Sequence, residues 1–423
     1  MRKLQIYIEI EGMQTYVGSI SGKTPQDAQF VYSDQYIAAG HPAISISLPI
    51  STQPFSTKAT KNFFEGLLPE GFARKSVANW LHASEDDYLT ILSVLGSECL
   101  GALRISDEIQ VNGDYTPLSI EDVKALAKEG VSKSTELITE AHLSLTGASG
   151  KVGLYYDSER NMWYQPKGNA PSTHIVKQSH VRLSDIVTNE QLSLTTASKL
   201  GIAIPESFII NTGVARDEDI LFATKRYDRM ISKSSASIRG LVRPFRLHQE
   251  DFAQALGIAA HEKYENGEQQ YLPRIFNLVR NFSENPILDQ LKLWDILIYD
   301  YLIGNTDNHI KNLSLLYSEN LRAIRLAPAY DIISTVIYPG SSREMAIGIA
   351  GERNIDLITR EHFSNAASDA GLSKKIALKH FDTFADGFEK ALDEMSVQLV
   401  EAGYPKAKDI KEQILRNSGY AHL

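Results

Sequence analysis

Alternating apolar and polar residues at the start of the chain predict a small β-sheet. The alternation covers residues 4–10 and 15–20, and Glu11 with Gly12 between them is typical of a tight hairpin turn. Two further strands are predicted, at residues 44–48 and 101–105. Apolar residues at helical spacing predict helices between these two strands. These helices span residues 60–81, with a break at 68–71, and residues 86–95.

The middle of the chain mixes strand and helix patterns. Helices are predicted at residues 120–130, with Ser119 as the N-cap, and at residues 187–200. Short apolar segments bounded by turn residues predict strands. These are residues 142–156, interrupted by a glycine-rich turn, and residues 173–178, 207–211 and 220–224.

From residue 249 onward, the apolar positions recur mainly at helical spacing. Helices are predicted at residues 273–283, 287–303, 360–370, 372–386 and 388–403. A small hairpin is predicted at residues 313–317 and 323–326. The pattern therefore predicts an α+β protein in which a sheet-rich part precedes a helical part.

Length, charge and cysteine content narrow the class of protein. A chain of 423 residues is long enough for two or three domains. The net charge of -9 argues against a broad nucleic-acid surface, so contact with DNA is expected through a partner. The single cysteine, Cys99, excludes an internal disulfide framework. No signal peptide and no apolar segment of membrane-spanning length is visible, which favours a cytoplasmic protein.

Residues 304–312, G-N-T-D-N-H-I-K-N, are the first candidate for chemistry. The segment contains Asp307 and Asn312, and the small hairpin that follows leads to Asp331. Carboxylate and amide oxygens suit Mg²⁺, and a further carboxylate can accept a hydroxyl proton during phosphoryl transfer. Aspartate and asparagine are also common turn residues, so the segment alone leaves both interpretations open.

A glycine-rich turn at residues 147–150 is the second candidate. Its backbone N–H groups could approach a phosphate, although a plain hairpin turn explains the same residues. The turn is not a Walker A loop, because Leu145 stands in place of the first glycine and Val152 follows Lys151 in place of serine or threonine.

Lys177 and Glu190 form the third candidate. In protein kinases a strand lysine after a glycine-rich turn binds phosphates, and a helix glutamate orients that lysine. A solvated charge at a strand end and a favourable charge near a helix N-terminus are the alternative interpretations.

Along the chain, the glycine-rich turn, Lys177, Glu190, Asp307, Asn312 and Asp331 follow the order of the corresponding features of a protein kinase. Eight longer motifs accompany them: N-F-F-E-G-L-L-P-E at 62–70, L-G-S-E-C-L-G-A at 95–102, S-L-T-G-A at 144–148, T-H-I-V-K at 173–177, K-R-Y-D-R at 225–229, Q-E-D at 249–251, T-D-N-H-I-K-N at 306–312 and Y-D-I-I-S at 330–334. With these motifs the chain resembles the HipA family, the serine/threonine kinase toxins of bacterial toxin-antitoxin pairs. The resemblance covers nearly the whole chain.

The resemblance implies a two-lobed, protein-kinase-like fold of the α+β class, with β-sheet subdomains in the N-terminal lobe and an all-α C-terminal lobe. It divides the chain into an N-terminal subdomain at 1–110, a nucleotide-binding subdomain at 111–243 and a helical kinase lobe at 244–423. ATP and Mg²⁺ are the implied cofactors.

The resemblance also implies a role for each candidate residue. Asp307 would be the catalytic base, Asn312 and Asp331 would hold Mg²⁺, and Lys177 would bind phosphate. Ser144 matches the serine that family members phosphorylate on themselves. Further nucleotide contacts are implied at Gly147, Ala148, Ser149, Gly150, Lys151, Arg226, Tyr227, His309 and Lys311. Ser149 stands where family members commonly carry glutamine, so Ser149 and Thr146 are rival phosphorylation sites.

The implied function is growth arrest by phosphorylation of a translation component, of the aminoacyl-tRNA synthetase class, with a helix-turn-helix antitoxin of HipB type as partner. DNA would be contacted only through the antitoxin, and no membrane is implied. The alternative is a kinase-like scaffold that acts mainly as an antitoxin-bound co-repressor at operator DNA. A metal phosphohydrolase using Asp307, His309 and Asp331 is weakened by the lack of a second cluster of histidines and carboxylates.

Overall fold

The computed structural model of the protein describes residues 2–106, 112–129, 151–178, 183–232, 234–267 and 269–423. The predicted hairpin at the start of the chain is confirmed. Strand β1 (Arg2–Ile10) pairs with β2 (Met13–Gly22), and Glu11 and Gly12 have φ angles of 49° and 80°, as a tight hairpin turn requires. The strands β3 (Gln29–Tyr32) and β4 (Leu103–Ser106) complete an antiparallel sheet in the order β3-β2-β1-β4.

The predicted strand at residues 44–48 is wrong. The buried hydroxyl of Tyr32 accepts a hydrogen bond from the Ile44 N–H at 3.0 Å and donates one to the Leu48 carbonyl at 2.6 Å. Because a side chain satisfies these backbone groups, the segment folds as turns with no need of a neighbouring strand.

Four helices complete the N-terminal module, which we define as residues 2–106. They are α1 (Asp34–Ala38), α2 (Thr57–Glu65), α3 (Gly71–Trp80) and α4 (Tyr88–Leu95). The predicted break at 68–71 therefore separates α2 from α3. Side-chain oxygens of Ser33, Ser56 and Asp87 accept N–H groups at the starts of α1, α2 and α4, which supplies partners for otherwise unpaired donors.

A six-stranded antiparallel sheet forms the middle of the molecule. Its strands are β5 (Asp114–Pro117), β6 (Lys151–Asp157), β7 (Met162–Lys167), β8 (His174–Gln178), β9 (Ser207–Asn211) and β10 (Ile220–Lys225). They are arranged in the order β5-β7-β6-β8-β10-β9. The helices α5 (Ile120–Glu129) and α6 (Ile186–Lys199) accompany it. The register pairs Lys151 and Phe222 with Lys177, which brings both lysines to one end of the sheet.

Short strands and longer helices make up the remainder. Four two-residue strands follow the middle sheet: β11 (Arg229–Met230), β12 (Ser237–Ile238), β13 (Leu241–Val242) and β14 (Phe245–Arg246). The C-terminal helices are α7 (Phe252–Leu256), α8 (Leu272–Phe282), α9 (Pro286–Ile303), α10 (Arg360–Ala366), α11 (Lys374–Glu401) and α12 (Lys406–Asn417). None of the helices in the described ranges is both long and apolar enough to cross a membrane.

The C-terminal lobe is not all-α, contrary to the expectation from the resemblance. It contains the sheet of β15 (Gln249–Asp251), β16 (Ser314–Tyr317) and β17 (Ile324–Leu326), and the hairpin of β18 (Glu344–Ile349) and β19 (Glu352–Asn354). The predicted hairpin at 313–317 and 323–326 is confirmed as β16 and β17. The strand β15 has no apolar residue, and its buried polar side chains are bound by protein groups instead.

The predicted break near residue 387 is also wrong, because α11 is one continuous helix of 28 residues. A glycine in a helix interior usually lowers helix stability. At Gly387, a Cβ atom would lie 3.1 Å from a methyl group of Leu200, just beyond the end of α6. We infer that this glycine permits close packing of the two helices and does not end α11.

A buried ion cluster joins the N-terminal module to the segment that follows β10. The carboxylate of Glu98 accepts hydrogen bonds from Arg226 at 3.2 Å, Arg229 at 2.8 Å and Arg246 at 2.9 Å. Asp228 pairs with Arg226 at 2.7 Å and accepts the Gly101 N–H at 2.7 Å. All the charged side chains of this cluster are buried. The N-terminal module therefore fixes the position of the chain directly after β10.

A second buried carboxylate joins the N-terminal module to the C-terminal lobe. Glu250, on β15, accepts hydrogen bonds from the Ser45 hydroxyl at 2.6 Å, the Ile46 N–H at 3.1 Å and the Tyr317 hydroxyl. Burial raises the pKa of Glu250 to about 7. The module thus contacts both of the regions that follow it in the sequence.

Candidate nucleotide-binding and catalytic cleft

A cleft of about 300 Å³ lies between the middle sheet and the C-terminal lobe. Its walls combine residues of β6, β8, α6 and β10 with residues that follow α9 and β17. All the described candidate residues apart from Arg226 and Tyr227 line this cleft. They are Lys151, Lys177, Glu190, Asp307, His309, Lys311, Asn312 and Asp331.

Lys177 links the two sides of the cleft. Its ammonium lies 2.5 Å from Glu190 Oε1 on α6 and also donates to Asp331 Oδ1, whereas Lys151 lies 3.9 Å from Asp331 Oδ2. Burial opposes the charge of Lys177, but Asp331 and Glu190 outweigh it and raise its pKa above the usual value. Burial likewise opposes the charge of Asp331, and Lys177 and Lys151 outweigh it and hold its pKa well below the usual range. The lysine and the aspartate are therefore both charged.

Asp331 has an unusual backbone conformation, with a φ angle of 58°. The left-handed region is costly for residues other than glycine, and such residues concentrate at functional sites. The preceding residue, Tyr330, is anchored by its hydroxyl, which donates to the Lys311 carbonyl at 3.0 Å and contacts the Ser314 hydroxyl at 2.6 Å. This anchor ties the segment of Asp331 to the loop that contains Asp307.

The loop at 304–312 begins where Gly304 ends α9 in the left-handed conformation, with a φ angle of 79°. Asp300, buried in the last turn of α9, accepts hydrogen bonds from the side chains of Asn305, at 3.0 Å, and Asn308. Asn305 Oδ1 in turn accepts the Asp307 N–H at 3.1 Å. A buried carboxylate beneath the loop thus orients the residues on both sides of Asp307.

The partners of Asp300 are neutral amides, and burial raises its pKa to about 7. A carboxyl group with a raised pKa contributes stability that is present below its unfolded pKa and is lost as the pH rises through the folded value. Relative to wild type, Asp300→Asn should therefore gain stability between pH 5.5 and pH 8, on the order of 2 kcal/mol, because only the interval up to the folded pKa contributes. Urea unfolding at both pH values measures this change.

The stability of Asp300→Asn must be compared with that of wild type at each pH. Buried histidines make the free energy of unfolding rise with pH over the same range, whereas Asp300 makes it fall. Burial lowers the pKa values of His174, His248 and His309 to about 4, 4 and 3. Their contribution is common to both proteins and cancels in the difference. Asp369→Asn serves as the control, because it makes the same chemical change at an exposed aspartate. An equal stability difference at the two pH values would show that Asp300 is ionised throughout.

Asp307 is exposed to the cleft, and the hydroxyl of Tyr264 donates to its Oδ1. The surrounding protein raises the pKa of Asp307 by desolvation, while the hydrogen bond from Tyr264 acts against that rise. The backbone is held by the loop itself, because the Asp307 carbonyl accepts the His309 N–H at 2.8 Å and Asn312 Nδ2 at 3.1 Å. Asp307 is thus a fixed carboxylate that faces solvent.

The donor set fits a magnesium ion. Asn312 uses its Nδ2 for the Asp307 carbonyl, so the atom left for a ligand is its amide oxygen. Asp331 supplies an ionised carboxylate on the same cleft. Hard oxygen donors of these two kinds are the ligands that Mg²⁺ takes beside phosphate groups.

His309 and Lys311 line the cleft, but neither offers a free positive charge for a phosphate. His309 is buried and neutral, and its Nδ1 has no hydrogen-bond partner in the described chain. The Lys311 ammonium lies 2.6 Å from Asp251, 3.1 Å from the Gly66 carbonyl and 3.5 Å from Glu70. Lys311 therefore connects the loop to the N-terminal module.

The cleft continues into a narrower, apolar slot beneath β10. Its apolar walls are Leu100, Ile175, Leu194, Pro205 and Phe222. Tyr227 and Arg226 border this slot, but the Arg226 guanidinium belongs to the Glu98 cluster. The backbone N–H of Arg226 donates to the Thr173 carbonyl at 2.8 Å. A flat apolar group such as a nucleotide base suits a slot of this composition.

The cleft is also lined by Glu70, Lys263 and Tyr264, for which the sequence predicts no role. Glu70, from the N-terminal module, pairs with Lys263 at 2.6 Å. Lys263 and Tyr264 lie outside every motif quoted above, and Glu70 ends the motif N-F-F-E-G-L-L-P-E, which by itself gives no sign of a contact with the cleft. Ser144, Thr146 and the turn at 147–150 lie outside the described residues.

Comparison with known proteins agrees with this architecture. The sequence profile of the HipA N-terminal domain matches residues 8–106, and that of the HipA-like C-terminal domain matches residues 143–392. The relative "Putative kinase Y4mE" of Sinorhizobium fredii is 30% identical over 390 residues, 89% of each chain. "Putative kinase Y4dM" of the same organism is 26% identical over 368 residues, 82% of each chain.

A solved structure shares the fold. It is described as the Shewanella oneidensis MR-1 toxin antitoxin system HipA, HipB and its operator DNA complex. The similarity has a TM-score of 0.78 at 21% identity and covers 97% of this chain and 96% of that chain. The predicted fold class, an α+β protein of HipA type, is thereby confirmed. Since one domain profile alone spans more than half of its length, the chain belongs to the HipA family.

Proposed function

We propose that the protein is an ATP- and Mg²⁺-dependent kinase that phosphorylates serine or threonine hydroxyls of another protein. The observation that carries the proposal is the ion-paired Lys177, between Glu190 and Asp331, in the cleft that also contains Asp307 and Asn312. Kinases use a lysine held by a helix glutamate for the nucleotide phosphates, and aspartate with asparagine for the metal. The names of the relatives from Sinorhizobium fredii are consistent with this activity.

Each residue has a defined task in this proposal. Lys177, with Lys151 beside it, binds the phosphates of ATP, and the apolar slot accepts the base. Asp331 and Asn312 would hold Mg²⁺, which neutralises charge that develops on the phosphate oxygens. Asp307 accepts the proton of the acceptor hydroxyl while the hydroxyl oxygen bonds to the γ-phosphorus. The bond between the γ-phosphorus and the bridging oxygen breaks, and ADP leaves with that oxygen.

Family membership supports a role as the toxin of a toxin-antitoxin pair, with a helix-turn-helix partner of HipB type. The proposed target is a translation component, of the aminoacyl-tRNA synthetase class, and the net charge of -9 is consistent with DNA contact through the partner alone. Phosphorylation of Ser144 would inactivate the enzyme, because about -1.5 to -2 units of added charge oppose the phosphates of ATP.

Phosphate transfer from labelled ATP tests the activity. The purified chain is incubated with Mg²⁺-ATP and a cell extract, and modified peptides are identified by mass spectrometry. Lys177→Met should abolish labelling, whereas Lys225→Met, at an exposed lysine paired with Glu206, should not. Absence of phosphate from the chain and from every extract protein would refute the kinase and favour the scaffold alternative.

Binding of ATP is a separate prediction. Saturation with ATP at about 100 times its Kd should stabilise the fold by about 2.7 kcal/mol, because the nucleotide binds only the folded state. Thermal unfolding with increasing Mg²⁺-ATP measures the shift, with Lys177→Met as the control. A melting temperature that does not respond to ATP would point to a scaffold that has lost nucleotide binding.

A further inference from the structure

Tyr264 stands beside the reacting groups of the proposed kinase without belonging to any motif. Its side chain is 41% exposed, yet its hydroxyl donates to Asp307 Oδ1. The Tyr264 ring packs edge to face against the ring of His309, with centroids 5.1 Å apart. The Lys263 ammonium lies 5.4 Å from the centre of the Tyr264 ring. An exposed tyrosine held on two sides by packing is not free to rotate away.

The backbone around Tyr264 is fixed on both sides. The Lys263 carbonyl accepts the Ile310 N–H of the catalytic loop at 3.4 Å, and the Glu265 N–H donates to the Ala346 carbonyl of β18 at 3.0 Å. The Lys263 side chain is held at 2.6 Å by Glu70 of the N-terminal module. Three separate regions of the protein therefore determine where the Tyr264 hydroxyl lies.

The Asp307 carboxylate has a different kind of support from the Asp307 backbone. Neighbouring loop residues hold the backbone, through Asn305, His309 and Asn312. Within the described chain, Tyr264 is the residue that donates a hydrogen bond to the carboxylate. A carboxylate with one oxygen bound in this way keeps its plane fixed and presents the second oxygen to an incoming hydroxyl.

We propose that Tyr264 is a positioning residue that orients the carboxylate of Asp307 toward the acceptor hydroxyl, and that Glu70 of the N-terminal module holds Tyr264 in place through Lys263. The inference rests on the proposed kinase function. It gives the N-terminal module a direct part in the catalytic geometry, since Glu70 reaches Lys263 on one side and Lys311 on the other. Small errors in the placement of a reacting group lower the rate without changing the affinity for substrate.

Steady-state kinetics of Tyr264→Phe provide the test. The variant keeps the ring and its contact with His309 and removes only the hydroxyl. We expect kcat to fall about tenfold while the KM for ATP stays within about twofold. Glu70→Gln should lower kcat by a smaller factor in the same manner. Tyr420→Phe is the matched control, because Tyr420 donates to Glu389 at 2.9 Å and does not line the cleft, so the kcat of this variant should equal that of wild type.

A double-variant cycle separates positioning from a general defect. In an Asp307→Ala background no carboxylate remains to be oriented, so addition of Tyr264→Phe should change the residual rate by less than twofold. A tenfold loss in both backgrounds would overturn the proposal. An unchanged or higher kcat for Tyr264→Phe alone would also overturn it, since the hydroxyl would then be irrelevant to the acceptor or compete with it.

Unfolding in urea supplies a readout that does not depend on phosphate transfer. If the hydrogen bond exists, the shift in midpoint for Tyr264→Phe combined with Asp307→Ala should be smaller than the sum of the two single shifts. Additive shifts would overturn the proposed contact. If wild type transfers no phosphate but the shifts are non-additive, the kinase proposal has failed while the contact stands.

Discussion

Asp307→Asn should lower the rate of phosphoryl transfer by about 10² to 10⁴, the usual contribution of a general base. The substitution preserves the size of the side chain and leaves the backbone hydrogen bonds of the loop in place. The Asp307 N–H can still donate to Asn305, and its carbonyl can still accept from Asn312. The loss should therefore appear in kcat, with little change in the affinity for ATP.

The measurement is single-turnover phosphate transfer at saturating ATP, together with ATP-dependent thermal stabilisation. Asp369→Asn, at an exposed aspartate far along the sequence, controls for the loss of one negative charge. A rate within threefold of wild type would remove Asp307 from the role of base. Retention of the ATP-dependent stabilisation would show that the cleft itself remains intact.

Glu98→Ala should reduce the free energy of unfolding by about 3 to 5 kcal/mol. Glu98 is fully buried, and it compensates the guanidinium groups of Arg226, Arg229 and Arg246. Burial opposes its charge, but the three arginines outweigh burial and hold its pKa far below the usual value. Removal of the carboxylate leaves buried positive charges without a partner.

The matched control is Glu206→Ala, because Glu206 forms an exposed ion pair with Lys225 at 3.2 Å. Exposed pairs contribute about 0 to 1 kcal/mol, so this control should unfold almost as wild type does. Urea unfolding of the three proteins at one pH provides the comparison. A loss below 1 kcal/mol for Glu98→Ala would mean that the remaining acidic groups, such as Asp228, suffice to balance the cluster.

The elements predicted with success have strong local patterns. Alternation predicts the hairpin of β1 and β2, which is confirmed. Lys177, Glu190 and Asp307 are singled out by their order along the chain, and all three line one cleft. The packing of α6 against the sheet then brings Glu190 to Lys177, which lies on β8. Local pattern and tertiary contact agree at these positions.

The predictions are wrong or incomplete where contacts between residues distant in sequence determine the local structure. The strand β15 consists of the polar residues Q-E-D, so no alternation of apolar residues reveals it. Its strand conformation depends on pairing with β16, which is distant in sequence. The predicted break between residues 386 and 388 is wrong because the close packing of Gly387 against Leu200 depends on a contact distant in sequence. Tyr264 and Glu70 escaped notice for the same reason, since each acquires its meaning from residues more than 40 positions away.

The link between Glu70 and Lys311 has a consequence for the synthesis of the protein. These residues are about 240 positions apart, and ribosomes add about 5 to 20 residues per second. The N-terminal module therefore leaves the ribosome on the order of ten to fifty seconds before the loop at 304–312 can reach it. During that interval the nascent chain lacks Asp307, Asn312 and Asp331, so the cleft is not complete until most of the chain has been translated.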